Sequence, residues 1–223
     1  MPVTCGCNVP HEACYHVRKL IIGTNAHIRM KEYSPTEFSI PQLEGISEKQ
    51  IEEHLQLYHG YVNKTNYLLE QLNGAEDDEY KRAELRRRFG FEFNGMRLHE
   101  YYFGQLENGP IAPDEDSALY TDLADQWGSF DAWHEDFLET ATTRGTGWAV
   151  LAYDNQVGRF FNQWIDFHHQ GHLGPIDIVL AVDVWEHAFM VDYVPSEKST
   201  YLQKYFANIN WEVVHDQYKE VNR

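Results

Sequence analysis

Asp183 and His187 stand four residues apart, directly after the apolar run 178–182. A carboxylate and an imidazole at that spacing can converge on one metal ion. The run before them is rich in β-branched residues, so the pair falls where a buried strand ends. Trp185, between the two, is large enough to keep water from such a site. Glu186 is a natural partner for the imidazole, because a ligating histidine usually donates its other ring N–H to a carboxylate or carbonyl. The same spacing also suits a strand end with a surface aspartate and a half-buried histidine. Two further imidazoles lie in helical segments beside apolar or aromatic neighbours: His54 near Ile51 and Tyr58, His99 near Tyr102 and Phe103. A histidine so placed is either a packed core residue or a ligand, and spacing alone does not choose.

The elements that would position these residues read as helices first and strands later. Ser47 followed three residues on by Gln50 forms a capping box, with Ile46 just before it. Ile51, Leu55, Tyr58, Val62 and Leu68 then recur at helical spacing until Gly74. Residues 75–88 are heavily charged, as suits a solvated linker or surface helix. A second helix is expected from about 81 to 106, making an antiparallel hairpin with the first. Shorter helices are expected near 117–127 and 129–142, strands near 147–153, 157–162 and 176–182, and closing helices near 197–207 and 210–219. This is an α+β arrangement: a long N-terminal helical hairpin, then a small, mostly antiparallel sheet packed with helices. The reading divides the chain into an extension over 1–40 that is loosely ordered, a hairpin domain over 41–112 and an α/β domain over 113–223.

Composition narrows the function. A formal net charge of −17 over 223 residues argues against nucleic acid or an anionic membrane surface as partner. No apolar run is long enough to span a bilayer, and the N-terminus lacks the order of a signal peptide. The three cysteines, Cys5, Cys7 and Cys14, all fall in the first fourteen residues. A main body without cysteine suits a reducing cytoplasm. With His11 and His16 the thiols could hold zinc, but their spacing matches no standard structural-zinc pattern.

The stretch 180–189, with Asp183-Val184-Trp185-Glu186-His187 at its centre, resembles the metal-binding signature of the iron/manganese superoxide dismutases. Other segments are similar to that family in the same order: Tyr61-Val62-Asn63, Trp127-Gly128-Ser129-Phe130, Gly145-Thr146-Gly147-Trp148-Ala149 and Asn208-Ile209-Asn210-Trp211. The resemblance covers roughly 41–223. It implies that His54, His99, Asp183 and His187 ligate one manganese or iron ion per subunit, with a lean to manganese or to use of either. Three imidazoles and a carboxylate suit a redox-active first-row ion. By the same resemblance Tyr61 would gate the channel, Gln163 would reach the solvent beside the metal, and Trp148 and Trp185 would wall the site. Gly95 stands where some members carry that glutamine instead. Arg97 and Lys198 would attract superoxide. Glu186 would pair with His187 of the partner subunit, which implies a homodimer and leaves a tetramer open. The activity implied is conversion of superoxide to dioxygen and hydrogen peroxide in the cytoplasm.

The chain departs from the family pattern in places. His54 to Tyr61 is seven residues instead of eight, so a plain α-helix brings both onto one face where members with the extra residue can accommodate it as a π-bulge. A continuous α-helix over 51–66 is therefore expected. The histidine usual between them is replaced by Leu57 or Tyr58, and the tyrosine usual after the last ligand is Phe189. His59 counts onto the helix surface. Val150 replaces a second tryptophan. His168, His169 and His172 invite a metal reading but are expected on a surface loop whose mutation leaves catalysis intact. Two rivals stay in view: a metal-storing relative without efficient turnover, and a zinc hydrolase.

Overall fold

The structure, a computed structural model, describes residues 31–75 and 78–222. The thiols and imidazoles of the first sixteen residues lie outside them. Ser47 begins the first helix, α1 (Glu48–Gly74), its hydroxyl accepting from the Gln50 backbone N–H at 3.1 Å. Asp78 caps the second, α2 (Glu79–Gly104), by accepting from Lys81 N. The charged stretch thus contributes the cap and opening turns of α2. The two helices pack as a hairpin, and α1 is α-helical without interruption, as its seven-residue spacing requires.

Two shorter helices follow, α3 (Ala118–Trp127) and α4 (Phe130–Thr142), each opened by a serine cap. Between them Gly128 adopts φ 91°, a left-handed stop that favours glycine. The sheet has three antiparallel strands in the order β2-β1-β3: β1 (Gly147–Asp154), β2 (Arg159–Asp166) and β3 (Asp177–Asp183). Central β1 is buried almost throughout, so its apolar run does not alternate. The chain closes with α5 (Lys198–Ala207) and α6 (Trp211–Val221). Among the described residues no helix is long and apolar enough to cross a membrane.

Two boundaries differ from expectation. Strand β2 runs to Asp166, which places Gln163 inside the ladder opposite Val150. The second difference is at 33–40, expected to be loose but pinned along the hairpin. Asn66 pairs with both backbone groups of Tyr33 (2.9 and 2.8 Å), and Tyr58 Oη accepts from Thr36 N at 2.8 Å. Ser39 N donates to Glu107, and the Phe38 ring packs on Tyr58 and Phe103. Residues in this strap carry few helix or strand signals because side chains of the hairpin, not a ladder, satisfy its backbone.

Candidate metal centre

Each of the four residues comes from a rigid element. His54 lies in mid-α1, His99 near the end of α2, Asp183 ends β3, and His187 sits on a three-residue 3-10 turn, Glu186–Ala188. Their ligand atoms all lie within 4.8 Å of one another. The Nε2 atoms of His54, His99 and His187 stand 3.0, 3.5 and 3.0 Å from Asp183 Oδ2. The side chains of His54, His99 and Asp183 are wholly buried. Trp185 N donates to the other carboxylate oxygen, Oδ1, at 2.8 Å, fixing its direction.

The protonation of this cluster follows from its neighbours. His99 Nδ1 donates to Gly95 O at 2.5 Å, so in the neutral ring Nε2 carries a lone pair. That lone pair and the carboxylate oxygen face each other with no proton between them, and His99 Nε2 has no other partner among the described residues. Burial pushes the imidazoles of His54 and His99 below the usual histidine range, against the pull of Asp183. Burial would raise the Asp183 carboxyl, but the adjoining His187 and His54 hold it well below the usual range. A lone pair and an anion aimed at each other repel unless a cation lies between them, and two further imidazole nitrogens converge on the same oxygen, so these residues fit a metal ion.

His168, expected on the surface, is fully buried beside the cluster, and the structure corrects the expectation. Trp148 Nε1 donates to its Nδ1 at 2.9 Å, and its Nε2 lies 2.8 Å from Tyr61 Oη. An indole can only donate, so Nδ1 accepts, and the neutral ring must carry its proton on Nε2 and give it to Tyr61. Burial lowers the His168 pKa to about 4, which keeps the ring neutral near pH 7. The Tyr61 hydroxyl proton is then free to point elsewhere.

Gln163 does not hold this place. Its amide donates to the Gly171 carbonyl and makes no hydrogen bond to Tyr61 or Trp148 among the described residues. The cause is the length of β2, which keeps Gln163 in the ladder and delivers His168 two residues past the strand end. Phe167 makes the turn at φ 53°, a conformation costly for a bulky residue and found at functional sites. The signal for His168 is its position in the chain, directly after a strand and before the apolar β3. His169 and His172 stay at the periphery; His172 Nε2 lies 2.9 Å from His168 O.

The walls are aromatic. Trp185 stacks on His168 (4.8 Å between centroids) and on His187 (5.5 Å), and Trp148 meets His99 edge-on at 5.0 Å. Continuity of α1 buries Tyr58 and leaves Leu57 exposed, so Tyr58 fills the altered position. His59 is half-buried, and Phe189 is buried against Tyr201. Gly95 also has a physical reason. A Cβ there would lie 2.6 Å from the Tyr61 ring. Gly95→Ala is expected to keep the metal but displace Tyr61, lowering turnover and costing about 1–3 kcal/mol of overpacking, less the helix propensity gained. Melting temperature, metal content and turnover on one preparation check this.

The steering cations differ from expectation. Arg97 is held by Glu100 at 2.5 Å with its guanidinium over Tyr33 and Phe93, on the strap side. Lys198 donates to Thr143 O and lies over Trp164. Arg88, unmarked within the charged stretch, lies 3.9 Å over Phe91, whose ring meets His168 edge-on at 4.6 Å. Glu92 pairs with Arg88 at 2.7 Å. Glu186 is exposed, and its side chain has no partner among the described residues.

Residues 115–217 match the family model for the C-terminal domain of iron/manganese superoxide dismutases. The chain is 34% identical over 197 residues to the iron superoxide dismutase of Aquifex aeolicus, covering 83% of this chain and 91% of that protein. It is 33% identical to the iron superoxide dismutase of Saccharolobus solfataricus (83% and 92%). It is 31% identical to manganese superoxide dismutase 2 of Haloferax volcanii (85% and 96%).

Proposed function

Because the chain belongs to the iron/manganese superoxide dismutase family, its activity is superoxide dismutation, and we propose that His54, His99, Asp183 and His187 hold the one iron or manganese ion that carries it. The observation that carries this assignment is the unprotonated face-off between His99 Nε2 and Asp183 Oδ2, two wholly buried side chains. When bound, such an ion supplies one-electron cycling, oxidising one superoxide to dioxygen and reducing a second, with two protons, to hydrogen peroxide.

The chain's own part is to bind, shield and hold protons. Trp185 and Trp148 cover the imidazoles and exclude water, which strengthens every charge interaction within. His168, locked by Trp148, donates to Tyr61 and so orients the phenol with its own proton available toward substrate. Burial pushes the Tyr61 phenol well above its usual range, so it stays protonated as a donor. His168 thereby takes the place that family resemblance assigns to Gln163. The lean toward manganese rests on that glutamine and falls with it; relatives named for iron and for manganese are both similar to this chain.

Exposed Glu186, beside His187, supports a homodimer in which it accepts from His187 of the partner subunit. The cysteine-free body supports a reducing, cytoplasmic setting. The test is metal content and superoxide consumption on one sample, before and after chelation. The expected result is about one iron or manganese ion per chain, with turnover and melting temperature both falling on its removal. Zinc as the bound metal, or bound metal without turnover, refutes it.

A further inference from the structure

His187 is the ligand least supported by its own backbone. The other three ride on two long helices and a strand end, whereas His187 sits on a single 3-10 turn and is 20% exposed. Short 3-10 turns have poorer hydrogen-bond geometry than α-helices and hold a side chain less firmly. Something outside the turn must fix it.

Gln50 stands at that point. It is 1% exposed, one helical turn before His54 on α1. Its spacing from Ser47 suggests a side chain folded back onto the helix cap, but only half of that box forms. Ser47 accepts from the Gln50 backbone, while the Gln50 carboxamide turns away to the loop. There Nε2 donates to His187 O at 2.7 Å and Oε1 accepts from Val191 N at 2.9 Å. One amide thus bridges His187, in the middle of the ligand turn, and Val191, three residues past its end, as a neighbouring strand would.

We propose that Gln50 is a positioning residue that sets the reach of His187 to the ion and thereby the ion's residence time. The inference rests on the four-residue metal site. The helix that presents His54 also holds the main chain of His187, so the two imidazoles, 5.0 Å apart between centroids, are set from one scaffold. Such partners behind a ligand typically change metal affinity by about 10- to 100-fold when removed.

Gln50→Met keeps volume and helix propensity but removes both bonds. Gln50→Glu keeps the acceptor for Val191 N and turns a carboxylate oxygen on the His187 carbonyl. Both are loaded with iron or manganese alongside the unaltered protein, and ion release into a chelator and the electron paramagnetic resonance spectrum of the bound ion are recorded. The comparator is Val214→Ala, a buried α6 position on the β3 side. Release from both Gln50 variants is expected to be at least about 10-fold faster, with an altered zero-field pattern. Val214→Ala should melt lower yet release at the unaltered rate. If either folded Gln50 variant releases at the unaltered rate with an unaltered spectrum, or if Val214→Ala releases equally fast, the proposal is wrong. Failure of the unaltered protein to take up an ion would instead refute the metal site itself.

Discussion

Asp183→Asn is expected to abolish metal retention and turnover while leaving the fold in place. Asparagine matches aspartate in volume, and its Oδ1 can still accept from Trp185 N, so the turn after β3 survives. The other carboxylate oxygen, the atom on which three imidazole nitrogens converge, becomes an NH₂ group. A donor there points a proton at the cation position, and the anion that balances the ion is gone. Removing one member of a buried charge pair costs about 3–5 kcal/mol, which corresponds to about 10²- to 10⁴-fold in metal affinity. Elemental analysis after dialysis, circular dichroism and superoxide turnover check it. A variant that keeps its ion would remove Asp183 from the ligand set.

His168→Ala and Gln163→Ala should differ sharply, opposite to the order that sequence resemblance suggests. Losing the His168 imidazole frees Tyr61 to reorient and leaves the buried Trp148 N–H without an acceptor. Turnover should drop about 10- to 100-fold with metal retained, and stability should fall by about 1–3 kcal/mol. His168→Gln should recover most of both, because an amide can accept from the indole and donate to the phenol. Gln163→Ala loses only its bond to Gly171 O, so about 1 kcal/mol of stability and little turnover are at stake. Steady-state kinetics and metal content of the three variants decide the assignment. Reduced turnover confined to Gln163→Ala would return the role to Gln163.

Much of the architecture is legible in the chain itself. Helical period and caps place α1 and α2, and the apolar runs place β1 and β3, because local patterning mirrors which face each element buries. The seven residues from His54 to Tyr61 already imply an unbroken α-helix, and α1 is one. The candidate ligand set is legible only through the family resemblance, since residue type and spacing leave His54 and His99 open between packed core residue and ligand.

What the sequence by itself determined is therefore the fold class and the family, with four candidate ligands implied by that resemblance. Tertiary structure alone decided which neighbours serve them. His168 and Gln163 are equally plausible from residue type, and only the true end of β2, set by pairing with β1, carries one inward and ties the other into the ladder. Gln50 reads as a helix cap until the loop 187–191 packs against it. Residues 33–40 read as a loose arm until the Asn66 and Tyr58 side chains bind their backbone. For Gln50 and for the 33–40 arm the partners are 22 to 141 residues away. Long-range contacts of that kind leave no periodic trace in a chain, because a side chain's hydrogen bonds are chosen only after the elements have docked.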